Sequence, residues 1–421
     1  MRIFLILFLF ASFTASGQGE KPVTLKECFD RAIRFNEKIL RDEQEIRAAE
    51  GRYWQALGGT LPNLSATGTE LIQDTSGTAS SGDTFGSTFL RQSTPEVSLT
   101  VKQPLFQGLR EFRSLSGSKA DKKKSRLNYE RSRQLLWLET AEVFLSVKKL
   151  EKEKGILESQ RDVMETRIRE LRERVRLGKS RPSEVLTTES QSEILEADLA
   201  RVKGALEIAR ETISFVTGIP PDLPLTDAEP AVGELGPLES YLSRKEGRPD
   251  LLASEEELIL SRASLNYEKG GYLPQLNLEA SYYPYRVGFR DAIDWDLLFT
   301  LDFPLFQGGK RFGLVKEAKS RFRQAELLRQ ESRRRAGLEI QEAYHLLTSS
   351  REEARFLESA GVKAARNYEM QLKEYRLGLV NNLEVLQALK DRHQIQHQAN
   401  EAFHRSLLNS YRFAVAIGEA P

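Results

Sequence analysis

The sequence predicts a mainly α-helical chain with a small β part: long coiled-coil helical hairpins attached to four short strands per chain. Three observations lead there. The chain repeats itself, each copy holds two segments of apolar-polar alternation, and most of the remainder is free of proline and rich in helix formers.

The repeat is literal in places. Pro104-Leu105-Phe106-Gln107-Gly108 recurs letter for letter as Pro304-Leu305-Phe306-Gln307-Gly308, an offset of 200. The same offset relates Arg176-Leu177-Gly178 to Arg376-Leu377-Gly378, Glu184-Val185-Leu186 to Glu384-Val385-Leu386, and Gly218 to Gly418. Upstream, Leu61-Pro62 matches Leu273-Pro274 and Ile39 matches Leu251 at an offset of 212, so the first copy carries 12 extra residues. They fall between Gln73 and Gln92, a Gly, Ser and Thr-rich stretch that reads as a surface loop. The expected division is a signal peptide at 1–17, a first structural repeat at 18–218, a connector at 219–245 and a second repeat at 246–421.

At the N-terminus, Met1-Arg2 precedes an apolar run from Ile3 to Ala11 and the small residues Ala15-Ser16-Gly17. This is the pattern of a cleaved secretory signal. The run is too short for a membrane helix, which needs about 20 apolar residues. Cys28 lies too far from it to be a lipid-anchor cysteine and, as the single cysteine, has no intramolecular disulfide partner.

The strands come next in each copy. Leu64 and Ala66 alternate with Asn63, Ser65 and Thr67, and Val97, Leu99 and Val101 with Glu96, Ser98, Thr100 and Lys102. In the second copy Leu276, Leu278, Ala280 and Tyr282 alternate with Gln275, Asn277, Glu279 and Ser281. The clearest strand sets Trp295, Leu297, Phe299, Leu301 and Phe303 against Asp294, Asp296, Thr300 and Asp302. A face with three aspartates must meet water and an aromatic face must not, which is the requirement of an outer-membrane barrel strand. Trp295, Leu297, Phe299 and Leu301 are therefore expected to face lipid.

Helices follow. No proline occurs between Pro104 and Pro182, or between Pro304 and Pro421. Gly178 and Gly378 suit the left-handed residue that ends a helix, and Pro182 suits the first turn of a returning one. The 70 residues from Gly108 to Leu177 would span about 105 Å as helix. Leu135, Leu138, Phe144, Leu145, Leu157, Met164, Ile168, Leu171 and Val175 recur among them at helical spacing, as in coiled-coil packing around a wet interior.

Composition excludes several functions. The chain has 62 basic and 61 acidic residues, a net charge of +1, and a mean hydropathy of -0.45. No field draws it to nucleic acid. No segment after the signal reaches about 18 apolar residues in a row, so membrane entry would be by strands. Candidate chemistry is sparse. Leu25, Cys28, Phe29, Ala32 and Ile33 follow the spacing of a helix core, which makes the cysteine a packing residue. Asp74-Thr75-Ser76-Gly77 is a poor match to an aspartic-protease signature. Lys122-Lys123-Lys124 and Arg333-Arg334-Arg335 sit among acids on long helices and read as solvated faces. His393, His397 and His404 share one helix face, a spacing that suits a metal, yet no glutamate follows His393 and polar contact between helices is the plainer reading. No catalytic residue, metal or cofactor is expected.

The residues resemble a known family, the TolC-like outer membrane efflux proteins. The resemblance rests on VTLKECFDRAI (Val23 to Ile33), LPNLSATG and LPQLNLEAS entering the first and third strands, both copies of PLFQG, and YRLGLVNNLEVLQA (Tyr375 to Ala388) at a helix-turn-helix tip. It covers nearly all of the mature chain. It implies a homotrimer in which each chain donates four strands to one 12-stranded barrel, while the helices form a periplasmic tunnel. The partners it implies are a periplasmic adaptor protein, an inner-membrane RND or ABC transporter, and outer-membrane lipid. The function it implies is a passive conduit of a tripartite efflux pump or type I secretion system, with the Gln73 to Gln92 loop extracellular. Physical reasoning alone demands some oligomer, since four strands cannot close and an open edge in lipid costs several kcal/mol per unsatisfied group. It leaves 8, 12 or 16 strands open. A soluble periplasmic coiled-coil scaffold or adaptor is the rival reading, and it accounts for the helices but not the strands.

The resemblance also marks residues. Pro104, Gly108, Pro304 and Gly308 fall at strand-to-helix junctions, and Gly178 and Gly378 at hairpin turns. At the expected periplasmic aperture, Tyr375 takes the family's tyrosine position and Glu384 its first carboxylate. Val380 stands where an arginine would be and Gln387 where a second carboxylate would be. Arg181 and Glu184 occupy the first hairpin's tip, so that Glu184 and Glu384 would place six carboxylates around a trimer's mouth. Asn381 and Glu384 also form an N-x-x-E cap.

Overall fold

The computed structural model describes residues 21–74, 91–288 and 290–419. The expected signal peptide and most of the Gln73 to Gln92 loop lie outside them. Twelve elements follow in order: α1 (Leu25–Phe35), α2 (Glu37–Gly58), β1 (Asn63–Ile72), β2 (Ser93–Gln107), α3 (Arg110–Arg176), α4 (Pro182–Thr217), α5 (Leu238–Leu242), α6 (Pro249–Gly270), β3 (Gln275–Arg286), β4 (Trp295–Asp302), α7 (Lys310–Leu377) and α8 (Asn382–Ala416). Helix, strand, strand, long helix, returning helix: α2 to α4 and α6 to α8 share this order.

Local chemistry sets the boundaries. Thr24 and Glu27 form a capping box at α1, with Glu27 N donating to Thr24 Oγ1 at 3.2 Å and Thr24 N donating to Glu27 Oε2 at 2.8 Å. The 67 residues of α3 and 68 of α7 each rise about 100 Å. Both end at a glycine in the left-handed region, Gly178 at φ 69° and Gly378 at φ 78°. Past each glycine the chain reaches back to the last turn, Lys179 N to Arg174 O at 2.8 Å and Leu379 N to Glu374 O at 2.9 Å, a closure that a side chain at the glycine would strain.

The four strands form one antiparallel sheet in the order β1-β2-β3-β4. Its register lays apolar residues in rows across the sheet: Leu64, Val101, Ala280 and Leu297 in one, and Ala66, Leu99, Tyr282 and Trp295 in the next. Ser65, Thr100, Ser281 and Asp296 form a row on the opposite face, where Thr100 Oγ1 and Ser281 Oγ lie 3.1 Å apart. Leu298 departs from the alternation, standing on that polar face opposite Glu279. Neither β1 nor β4 has a second neighbour among the described residues.

Away from the sheet, the helices pack in two zones. At mid-length Trp137 of α3 meets Phe29 of α1 and Tyr411 of α8 edge to face, at 5.1 and 5.8 Å between ring centroids. Cys28 is fully buried there, and burial pushes its thiol up to about 12, the state of a packing residue rather than a nucleophile. The connector wraps this level. Val23 bridges to Leu225, Ala231 N donates to Ser410 Oγ at 3.0 Å, and Tyr241 of α5 packs on Phe413. Buried Arg248 holds Asp250 and Glu339, at 2.7 and 2.6 Å, and donates to the carbonyl of Ala416. Burial works to raise the Asp250 carboxyl, but the hydrogen bonds from Arg248 and the nearby charges of Arg131 and Arg248 outweigh it and hold it below its ordinary value. The second zone, near the hairpin tips, gathers Leu157, Leu171, Leu199, Tyr368, Val385 and Leu389. Leu135 is exposed in the single chain, while Leu136 and Trp137 take the core.

Candidate functional site

Two regions carry the expected functional residues: the hairpin tips and the apolar band of the sheet. At the tips, α3 and α4 of one hairpin meet α7 and α8 of the other. Tyr375, in the last turns of α7, is buried, and the guanidinium groups of Arg167 and Arg174 from α3 lie 3.9 and 4.6 Å from its ring centroid.

Arg167 is 3% exposed and is gripped from both hairpins. Its Nε and Nη2 donate to Asn382 Oδ1 at 3.2 and 2.8 Å, and its Nη1 reaches Glu170 Oε2 at 3.3 Å. Asn382 Nδ2 turns on to Thr188 Oγ1 at 3.4 Å, and Arg376 Nη2 approaches Glu170 Oε1 at 3.3 Å. One guanidinium thus links α3 with α7 and α8, and Asn382 extends the link to α4. The resemblance marks Val380 as the position where the family would carry an arginine. The structure puts Val380 against the tip core and supplies arginine to Tyr375 from the other hairpin. A signal was present: Arg167 falls between Met164 and Leu171, and Asn382 before Val385, Leu386 and Leu389, each a polar residue on a stripe of apolar helical spacing.

The remaining tip residues lie at the two turns. Arg181 is exposed at the N-cap of α4, and Glu184 N donates to its carbonyl at 3.0 Å. Glu184 Oε2 accepts from Ser180 Oγ at 2.7 Å. Glu384 completes the capping box of α8, accepting from Asn381 N at 2.8 Å while its own N–H donates to Asn381 Oδ1 at 3.1 Å, and it stays exposed. Gln387 donates to Asp391 Oδ1 at 2.7 Å, so a carboxylate stands one turn beyond the position the resemblance marks.

The three histidines of α8 do not converge. His397 Nδ1 contacts Glu153 Oε1 at 2.7 Å, and His404 Nδ1 faces the carbonyl of Asn400 at 2.9 Å. His393 is driven down to about 4 by burial and by Arg392 beside it. Among the described residues no group of three or more possible ligands gathers around a metal position.

In the sheet, Trp295, Leu297, Phe299 and Leu301 are all exposed on the apolar face. Pro104, expected at a strand-to-helix junction, lies inside β2, paired with Asn277 three residues before the strand ends, while Pro304 falls between β4 and α7. Gly108 and Gly308 follow them with φ 67° and 57°. Among the described residues no helix is long and apolar enough to cross a membrane, and the sheet is where apolar side chains stand bare in rows.

The comparisons agree with this geometry. No curated protein matches the chain. Among solved structures, CusC aligns with a TM-score of 0.84 at 16% identity, over 95% of this chain and 93% of its own. VceC of Vibrio cholerae, an outer membrane protein, aligns at 0.81 and 15% identity over 94% and 96%. The CmeC outer membrane channel of Campylobacter jejuni aligns at 0.80 and 18% identity over 94% and 85%. At such identities the likeness establishes the fold. The family does not rest on them: the model of the outer membrane efflux protein family matches residues 29–219 and 243–418. The chain therefore belongs to the outer membrane efflux protein family, as a channel-tunnel subunit with its strands in the outer membrane and its long helices in the periplasm.

Proposed function

We propose that the chain works as a homotrimer, three four-stranded sheets closing one 12-stranded barrel and three pairs of hairpins forming the tunnel beneath it. The observation that carries this reading is the sheet itself. It is apolar on one face and, Leu298 apart, polar on the other, and among the described residues neither edge strand has a second neighbour. In lipid every strand edge must be paired, and only closure into a barrel pairs them all. Residues 18–218 and 246–421 then act as two structural repeats that alternate around the ring, tied at mid-height by the connector 219–245.

In this reading the protein is a passive conduit from periplasm to exterior and catalyses nothing. The family is one of channels rather than enzymes. A periplasmic adaptor would engage the hairpins, and an inner-membrane RND or ABC transporter would supply the energy, as an efflux pump or a type I secretion system. Arg167 with Tyr375 and Asn382 holds the two hairpins of a subunit together at the tip. Glu184, Glu384 and Arg181 lie at the mouth. The test is native mass together with conductance: detergent-extracted outer-membrane protein should run at three chain masses and conduct in planar bilayers. A non-conducting monomer would overturn the reading.

A further inference from the structure

The two hairpins of a chain meet along α3 and α8, and midway along that seam the packing changes character. Toward the tip, Leu386 and Leu389 of α8 join the tip core; higher up, Leu407, Tyr411 and Val415 join the mid-length core. Between Leu389 and Leu407, roughly 27 Å of helix, the residues that α8 buries are Asn400 and Ala402. Two cavities of about 420 and 380 Å³ adjoin this stretch, and His393 lines both. Here α8 buries no large apolar side chain against α3, so polar contacts decide whether the seam holds.

One carboxylate bridges the stretch. Glu153 of α3 is 8% exposed, its Oε1 lies 2.7 Å from His397 Nδ1, and its Oε2 accepts from Asn400 Nδ2 at 3.2 Å. Asn400 Nδ2 also donates to the Lys149 carbonyl at 3.0 Å, which fixes the amide whatever His397 does. Among the described residues no lysine or arginine forms an ion pair with Glu153, so its countercharge must come from the imidazole. The His397 side chain is 56% exposed, and solvent reaches its ring. Other charged groups surround it. Asp198 and Arg201 of α4 line the same cavity and pair with each other at 3.0 Å, Glu401 of α8 pairs with Arg405 at 3.2 Å, and Lys390 stands two turns below. Among the described residues none of α7 lines that cavity. His393, one turn below, is driven down to about 4 by burial and Arg392, and burial also lowers His404.

We propose that Glu153 and His397 form an acid-set latch: when His397 takes up a proton, the contact becomes an ion pair, draws α8 onto α3 and narrows the periplasmic end of the conduit. Such a latch presupposes the conduit proposed above and adds its regulation. In the neutral ring Nδ1 carries the hydrogen that Glu153 accepts, and Nε2 is the atom that takes the proton from solvent. Histidine is the side chain whose charge ordinarily changes between about pH 5 and 8. Hydrogen bonds between charged groups are roughly twice as strong as neutral ones, and a protonated ring also gives the buried carboxylate its countercharge. The gain falls on the one stretch of the seam where α8 brings no apolar packing to mask it.

Single-channel recording in planar bilayers at about pH 7.5 and about pH 5.5 tests the latch. Wild-type conductance should be several-fold lower at the acidic pH. His397→Gln still offers Glu153 a donor but takes no charge, and its conductance should stay at the neutral-pH level in both conditions. His397→Arg is charged in both and should stay at the low level. Glu153→Gln removes the charge from the other side and should flatten the response as well. More than half of the His397 side chain is exposed, so both variants there should fold, with helical circular dichroism equal to wild type. A wild type whose conductance does not change, a His397→Gln channel that falls as steeply as wild type, or a His397→Arg channel that conducts at the neutral-pH level overturns the latch and leaves the conduit standing. A wild-type protein that conducts at neither pH overturns the conduit reading as well.

Discussion

At the hairpin tip one buried guanidinium does several jobs. Arg167 satisfies the Asn382 side chain, contacts Glu170, and lies over Tyr375, so removing it leaves polar groups with no water to turn to. Leaving a buried amide oxygen unpaired costs about 1–3 kcal/mol, and the lost cation–ring contact adds about 0.5–2 kcal/mol. Arg167→Ala should therefore loosen the second hairpin from the first and raise single-channel conductance. Arg167→Lys keeps the charge but cannot make the two-pronged contact to Asn382, and should fall between. Conductance identical to wild type in both variants would remove Arg167 from any role in holding the tip. This residue escaped the sequence reading for a physical reason: its partners on the other hairpin, Tyr375 and Asn382, are 208 and 215 residues away, and spacing along one helix marks a polar intrusion on an apolar stripe but not what answers it.

At the scale of elements, the strands were the more legible part. β4 shows why, since period-two alternation survives any register and needs no knowledge of neighbours. Leu298 is the exception, and it sits on the face that carries Asp296, Thr300 and Asp302, where a lone leucine beside Glu279 is tolerated because a wet wall need not be polar at every position. The long helices were legible as helices and less so in their faces. Over the 67 residues of α3, a 3.6-residue turn drifts about 20° per heptad against a fixed seven-residue seam, so Leu135 can match the pattern locally and still lie exposed in the single chain. Phe299 provides the element's own test. It stands in the middle of β4, exposed, in register with Leu278. Phe299→Arg should cost about 2–4 kcal/mol if the band's centre lies near the bilayer midplane. The measured consequence would be less assembled protein in the outer membrane and a lower melting temperature for what assembles. Normal assembly of that variant would place the lipid on the other face of the sheet.

For the whole molecule, the question is what surrounds the periplasmic mouth. In the proposed trimer, Glu184 and Glu384 recur in every subunit, and a ring of carboxylates around a narrow opening favours cations over anions. Both side chains also have local work. Glu184 accepts from Ser180, and Glu384 caps α8. Glutamine separates the two roles, because its side-chain oxygen still accepts a hydrogen bond, as in the glutamine form of the capping box, while the charge is gone. Glu184→Gln with Glu384→Gln should thus leave the melting temperature within about 1 °C of wild type, a cap's worth of stability being only about 1 kcal/mol. In planar bilayers its potassium-over-chloride preference should fall. The difference from wild type should be largest in dilute salt and nearly vanish near 1 M, where the screening length shrinks to about 3 Å. Unchanged selectivity at low salt would leave Glu384 as a helix cap alone and move the selectivity of the mouth to other charges, of which Asp391, one turn beyond Gln387, is the first to substitute.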